Sequence, residues 1–318
     1  MGIAHSIFST ILWNDSQDRA RAPWRIVLPL VPVLLIAALV ATVIVDTVSI
    51  PALIFITQLT LALSAFVAFA VSTRYLDRGR SIWDYGVRTD RRWGLNLTAG
   101  FVIGILAVVF PSVVGIATGW YGVSTLFATH SMALWAGLGL IFLAYLCTGF
   151  WEELVFRGVL MSNAADGLRG WFGRKNVIVV VLVLQAIIFG LVHVDQWMVQ
   201  APHPAFVATW ILGGLMFGLL YLWSNDLALP IGVHAAINTA EAGLVSQTAP
   251  ADGGIPVLVL VEPISQSILA GHGGILMISR TLIALLLGVL WLRYVRKGDL
   301  VLWTHPAMVV VEQPHEET

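Results

Sequence analysis

The chain has 318 residues, of which 58% are hydrophobic and only 11% are charged, and its mean hydropathy is +0.87. Soluble domains carry about 25% charged residues, so this composition excludes an ordinary soluble protein and predicts a polytopic membrane protein. The net charge of −1 provides no strong attraction to nucleic acid, which we exclude as a partner.

Apolar runs of about 20 residues, the length that crosses a bilayer, recur along the chain. They predict an all-α fold, a polytopic membrane helix bundle of about eight transmembrane helices around an internal polar cavity. We expect an N-terminal segment (1–26), a single transmembrane domain (27–297) and a tail (298–318). The predicted spans are 27–45, 52–71, 95–117, 133–160, 177–195, 204–223, 227–245 and 274–292.

The basic residues predict the orientation of the chain in the membrane. All Lys and Arg residues except Arg280 fall on one side of an alternating eight-span arrangement. The positive-inside rule therefore places both termini in the cytoplasm of a multi-pass cell-membrane protein. Arg280 lies inside the eighth span, where we expect it to pair with a carboxylate such as Glu241. The apolar stretch 255–261 is too short to cross a bilayer and is interpreted as an external or interfacial cap.

Three short polar motifs lie within or at the end of separate predicted spans. Ionisable groups inside a bilayer are costly and usually face a bundle interior or a water-filled cavity, so three such motifs indicate one polar site. The motifs are Glu152-Glu153-x-x-x-Arg157, Phe189-x-x-x-His193 and His234-x-x-x-Asn238.

The spacing within the first motif separates the roles of its two carboxylates. Glu153 and Arg157 stand at i and i+4 with the acid first, which predicts an ion pair on one helix face. Glu152 points about 100° away from Glu153 and is left without a local partner. Its carboxylate suits a general base, or alternatively a hydrogen bond that joins packed helices.

The other two motifs also place their members on one helix face each. His193 ends a span, where a histidine is either an interfacial residue or a catalyst, and nearby Asp195 either orients its ring or is a solvated loop acid. His234 and Asn238 both carry N–H donors that suit an oxyanion or, alternatively, an interhelical hydrogen bond. Glu152 and His234 lie toward the cytoplasmic ends of their predicted spans, whereas His193 lies near the opposite end of its own span. The predicted span limits therefore place His193 at a different depth from the other two residues.

The three motifs in this order, on eight spans with cytoplasmic termini, resemble the CPBP family of CAAX proteases and bacteriocin-processing enzymes. These are intramembrane endopeptidases related to the Rce1-type prenyl-protein protease, and the resemblance covers about 133–245. It implies cleavage of a membrane-associated protein or peptide, in some members a prenylated CAAX protein. The implied roles are water activation by Glu152 and His193, oxyanion binding by His234 and Asn238, and support from Glu153, Arg157 and Phe189.

Three other interpretations remain open. A zinc-dependent version of the same protease would use Glu152, His193 and His234 as ligands, although no His-Glu-x-x-His motif is present. We favour a glutamic-type enzyme without a cofactor. A proton-coupled transporter would use buried Glu and His as a relay, but the chain has no evident repeated halves. In a non-catalytic membrane scaffold the polar cluster would be present but would carry out no reaction.

Overall fold

The computed structural model describes residues 8–129, 132–193, 204–247, 254–264, 275–297 and 299–302. The predictions for Asp195 and for most of the tail 298–318 fall outside these residues.

Helices dominate the described part of the chain, and eight helical segments correspond in order to the eight predicted spans. Three of them continue beyond their regular α-helical part through a wider π-helical turn: Leu154–Met161 in α4, Ala240–Leu244 after α7 and Trp291–Val295 after α8. The segments are α1 (Ala22–Ile44), α2 (Ile50–Tyr75), α3 (Arg91–Ala117), α4 (Leu134–Leu168), α5 (Arg174–Leu191), α6 (Pro204–Ser224), α7 (Ala228–Thr239) and α8 (Ile275–Leu290).

Six of these segments, α1 to α4, α6 and α8, are long and apolar enough to cross a membrane. The apolar part of α5, Lys175–Leu191, is shorter, and α7 has only 12 residues before its π-helical turn. The side chains of Leu35, Leu39 and Val43 on α1 are each more than 60% exposed, as expected for a surface that faces lipid. The structure thus confirms an all-α polytopic membrane bundle, with six full-length spans and two shorter helices.

Helix α4 differs from its prediction in a way that matters for the site. The predicted span ended at residue 160, where the apolar run ends, but the helix continues to Leu168. The polar residues of this extension have partners that keep them in the helix. The amide of Asn163 donates to the Val159 carbonyl at 3.0 Å, and Asp166 accepts hydrogen bonds from arginines. The chain turns only at 169–173.

Helix α7 is the centre of the bundle and packs against α3 and α4 along its length. Glycines allow this close approach, because a methyl group on Gly100 would overlap the Leu229 carbonyl oxygen and one on Gly232 the Leu97 carbonyl oxygen. In the same way Gly214 and Gly218 let α6 lie against Ala186 and Leu182 of α5.

Two small sheets accompany the helices, and the sequence analysis did not predict them. The strands β1 (Trp13–Asn14) and β2 (Arg19–Ala20) form an antiparallel pair. A second sheet has the order β3-β5-β4, with β3 at Tyr121–Ala128, β4 at Val245–Ser246 and β5 at Val257–Pro263. The stretch interpreted as a cap is thus a strand, antiparallel to β3 and parallel to β4.

The ion pair predicted for the eighth span is confirmed. Arg280 of α8 donates to Glu241 in the π-helical turn after α7. The pair joins the last helix of the bundle to its central helix, near the sheet residue Tyr121.

Candidate active site

The first and third motifs meet where α4 lies against α7. Glu152 and Glu153 end the regular α-helical part of α4, directly before its π-helical stretch, and His234 lies in the middle of α7. Gly149, one turn before the glutamates, allows the contact, since a methyl group there would lie 2.9 Å from the Ile231 carbonyl oxygen. The close approach of the two helices brings the carboxylates to the imidazole.

Glu153 forms more contacts than the sequence predicted. The predicted ion pair with Arg157 is confirmed, with Nη1 of Arg157 at 3.0 Å from Oε1 of Glu153. The same oxygen lies 2.8 Å from Nδ1 of His234. Because a carboxylate accepts and Arg157 is always charged, Nδ1 of His234 is the protonated nitrogen in this hydrogen bond. All three side chains are buried.

Glu152 faces the other side of the same imidazole. Its Oε2 atom lies 3.8 Å from Nε2 of His234, which is too far for a direct hydrogen bond. Among the described residues this buried oxygen has no hydrogen-bond partner. Oε2 of Glu153 likewise has no hydrogen-bond partner among these residues, but its Oε1 is engaged by Arg157 and His234, so Glu152 is the less constrained of the two carboxylates. The predicted internal cavity stays a prediction, since these side chains form a closely packed polar cluster.

Aromatic rings enclose the cluster, with Phe189 at its centre. The guanidinium carbon of Arg157 lies 4.4 Å from the centroid of the Phe189 ring and 5.0 Å from that of Phe217. Phe217 also stacks on His234, with centroids 4.7 Å apart and planes at 19°. A cation against these ring faces is attracted by their negative quadrupole, so the apolar motif residue Phe189 helps to hold the buried Arg157.

His193 lies in the turn directly after α5, beside Phe189. Its Nδ1 lies 2.7 Å from the Phe189 carbonyl oxygen, which can only accept, so Nδ1 carries the proton and Nε2 is left for other contacts. The imidazole stacks on Trp210 of α6 with centroids 4.2 Å apart and planes at 11°. Phe189 lies 4.6 Å from the ring of His193 and 6.1 Å from that of His234, centroid to centroid, so it contacts both imidazoles.

The longer α4 accounts for the depth of His193. Sixteen residues of helix separate Glu152 from Leu168, and fifteen separate Arg174 from Phe189. The two antiparallel helices therefore bring Glu152 and Phe189 to nearly the same depth. The span limits predicted from hydropathy end α4 at residue 160, eight residues before the end of the helix, and so they separate His193 from the depth of Glu152.

Asn238 follows His234 by one turn of α7, and its side chain is half-buried. Residues at i and i+4 share a helix face, so the carboxamide lies on the side of α7 that carries the imidazole.

The zinc interpretation requires three ligands that converge on one point. Within the described part of the chain, no three His, Cys, Asp or Glu residues lie close enough together to hold a metal ion. The three residues of the zinc interpretation, Glu152, His193 and His234, are all described. Nδ1 of each histidine is already engaged, with Phe189 or Glu153, so only the Nε2 atoms are open to a ligand.

Three residues that contact the motifs were missed by the sequence analysis. Trp210 and Phe217 lie in a uniformly apolar helix, where aromatic residues give no specific signal. Gln185 was detectable, since it is polar within an apolar run and stands four residues before Phe189 on the same face. It is fully buried and donates to the Gly214 carbonyl at 2.8 Å, the oxygen that Arg157 also approaches at 3.4 Å.

Comparisons with known proteins match the stretch of the chain that carries the three motifs. The sequence model of the family described as type II CAAX prenyl endopeptidase Rce1-like matches residues 133–240. The membrane-embedded CAAX protease MroQ of Staphylococcus aureus (strain USA300) is 29% identical over 87 residues, which are 27% of this chain and 31% of that protein. The match thus spans about a third of this curated relative, and no solved structure matches the chain. The matched stretch contains all three motifs, and the resemblance predicted from them is confirmed: residues 133–240 are similar to the Rce1-like family of CAAX prenyl endopeptidases.

Proposed function

We propose that this protein is an intramembrane endopeptidase that hydrolyses a peptide bond of a membrane-associated protein or peptide. The observation that carries the proposal is the buried Oε2 of Glu152, which has no hydrogen-bond partner among the described residues and lies beside an imidazole that a second carboxylate holds in place. The names of the similar proteins supply the substrate class, a CAAX-type protein.

In this mechanism Glu152 is the general base. A water molecule beside its free oxygen attacks the scissile carbonyl carbon, and the water proton passes to Glu152. The pair of electrons of the C=O bond moves to the oxygen, which becomes an oxyanion. When the C–N bond breaks, Glu152 returns the proton to the leaving amine. His193 assists the transfer through its Nε2, since its Nδ1 is engaged with Phe189.

His234 and Asn238 stabilise the oxyanion in the same mechanism. In this step Nδ1–H of His234 donates to Glu153, and Nε2 of the same ring, when it carries a proton, donates to the oxyanion. Donors fixed in a low-dielectric site contribute about 3 kcal/mol each to a transition state. Glu153, Arg157 and Phe189 are positioning residues that act through His234.

The test compares new protein termini across the proteome of cells that produce the wild-type protein or Glu152→Gln. We expect a set of termini that is absent in the variant, because an amide cannot remove the water proton. Glu262→Gln, the same change at an exposed position of β5, is the matched control and should cleave like the wild type. Identical termini in Glu152→Gln and wild-type cells would rule out the proposal in favour of a scaffold or transporter.

Activity in the presence of a metal chelator distinguishes this mechanism from the zinc alternative. We expect the purified protein to keep its activity in a strong chelator. Loss of activity with the chelator, and recovery on adding zinc, would show that the zinc mechanism is correct instead.

A further inference from the structure

A second buried polar cluster lies at the end of α4 remote from Glu152, under the N-terminal segment. Three arginines converge there on two aspartates: Arg19 of β2, Arg25 of α1 and Arg80 of the loop after α2 approach Asp77 and Asp166. The closest contacts are Nη1 of Arg25 to Asp77 at 2.5 Å and Nη2 of Arg19 to Asp166 at 2.8 Å. We call these five residues the arginine cluster.

The arginine cluster has more positive than negative charge. Three guanidinium groups face two carboxylates, so one positive charge is in excess, and the side chains are buried. Burial lowers the pKa of Arg19, and the neighbouring Arg25 and Arg80 lower it further, although Asp166 and Asp77 oppose them. Asp77 keeps its negative charge, because Arg80, Arg25 and the Tyr85 hydroxyl lower the pKa of its carboxyl group although burial raises it. An uncompensated buried charge is costly, and an added anion would relieve this cost.

The structure offers a place for such an anion beside the cluster. A pocket of about 250 Å³ is lined by Asn14, Gln17, Arg21, Arg25 and Asp166, among others. Nε of Arg25 is buried and has no hydrogen-bond partner among the described residues, while its two other nitrogens bind the aspartates. Arg21 contributes an exposed basic side chain at the mouth, and the carboxylate of Asp166 is already shared by Arg19 and Arg25.

We propose that this pocket binds a phosphate-bearing anion between Arg21 and Arg25. Guanidinium groups pair with phosphate oxygens through charge-assisted hydrogen bonds, often two at a time. The phosphate comes from an anionic lipid headgroup or from solution. The predicted cytoplasmic position of residues 1–26 favours the headgroup, because that leaflet carries the anionic lipids. The site is remote from Glu152 and does not depend on the proposed protease activity.

The test is thermal unfolding of the purified full-length protein in a neutral detergent. A ligand that binds the folded state raises the unfolding temperature with its concentration and saturates. One series adds inorganic phosphate against sodium chloride of equal ionic strength. A second adds phosphatidylglycerol against phosphatidylcholine. We expect saturable stabilisation by phosphate, by phosphatidylglycerol or by both, and none by the two controls.

Variants then assign the effect to the pocket. Arg21→Gln removes an exposed pocket residue and should raise the half-saturating concentration about tenfold, as for loss of one hydrogen bond to a charged group. Arg88→Gln, an exposed basic residue of the loop 76–90 outside the pocket lining, should titrate like the wild type. Stabilisation by phosphatidylglycerol alone identifies a headgroup, and stabilisation by phosphate alone identifies a soluble anion. The absence of any saturable effect, or an Arg21→Gln titration equal to that of the wild type, would overturn the proposal.

Discussion

At the scale of single residues, Glu153 connects the catalytic residues of the proposed mechanism to the bundle. One of its oxygens accepts from both Arg157 and His234, on two different helices. Breaking a buried pair by removing one partner leaves an uncompensated charge and costs about 3–5 kcal/mol. Glu153 therefore fixes the ring of His234, whereas Oε2 of Glu152, which has no hydrogen-bond partner in the described part of the chain, is available for chemistry.

Trp210 should influence catalysis through its stack on His193. In Trp210→Leu the imidazole loses an aromatic contact worth roughly 1 kcal/mol, and we expect kcat to fall about fivefold with little change in KM. Trp210→Phe should restore most of the rate because a ring is again present. Peptide cleavage by the purified variants measures both constants, and Trp171→Leu, at a highly exposed position, is the control. A normal kcat in Trp210→Leu would show that the stack has no role in positioning His193.

Asp226 makes the stability of the protein depend on pH. It lies in the turn between α6 and α7, where it accepts from the Asn96 amide at 2.7 Å and from the backbone N–H of Ala228 at 3.0 Å. Burial raises the pKa of Asp226 from 3.8 to about 6, although these hydrogen bonds and Arg92 act in the opposite direction. The folded state therefore holds a proton that the unfolded state has already lost between these two values.

The free energy of unfolding should consequently decrease as the pH rises from about 4 to about 6, by roughly 3 kcal/mol from this group. Asp226→Asn has no such proton and should lose this part of the pH dependence, so that the variant is the more stable protein at pH 7. Thermal unfolding of both proteins between pH 4 and pH 7 measures the difference. Parallel curves for the two proteins would contradict the raised pKa.

At the scale of elements, the site exists because α7 lies unusually close to α3 and α4. Small residues in contact are the common means by which membrane helices pack, since lipid offers no hydrophobic drive to bring them together. Gly100 and Gly232 make this contact between α3 and α7, and Gly149 makes it between α4 and α7. The last of these positions brings Glu153 within hydrogen-bonding distance of His234.

Gly232→Ala should therefore be among the most damaging small substitutions in the chain. Its methyl group would overlap the backbone of α3, and we expect a loss of roughly 3 kcal/mol of unfolding free energy, at the upper end for overpacking. Gly139→Ala in α4 is the matched control, because nothing lies within 4 Å of the added carbon. Thermal unfolding in detergent compares them. Equal stability of the two variants would mean that α3 and α7 can separate without cost.

At the scale of the whole molecule, charged networks lie at both ends of the bundle. The arginine cluster joins the N-terminal segment, the loop after α2 and the end of α4. The pair of Arg280 and Glu241 joins α8 to the turn after α7 at the end that carries the β3-β5-β4 sheet. The positive-inside rule predicts that the arginine cluster is cytoplasmic and the sheet external.

Single cysteines test this orientation. In a Cys147→Ala background, Ser16→Cys in the N-terminal segment and Ser124→Cys in β3 introduce exposed thiols at the two ends. With a membrane-impermeant maleimide on intact cells, we expect labelling of position 124 and, only after the membrane is opened, of position 16. The reverse pattern would mean that the predicted orientation is wrong.

The class of the protein, the order of its helices, the pairs Glu153–Arg157 and Glu241–Arg280, and the family resemblance over 133–240 follow from the amino-acid sequence without coordinates. These depend on local composition and on i,i+4 spacing, or on the cost of an unpaired charge within an apolar run. Four further features are visible only in three dimensions: α4 continues to Leu168, His234 bonds to Glu153, Trp210 stacks on His193, and β5 joins β3. Each of these depends on partners distant in the chain, which neither hydropathy nor local spacing records.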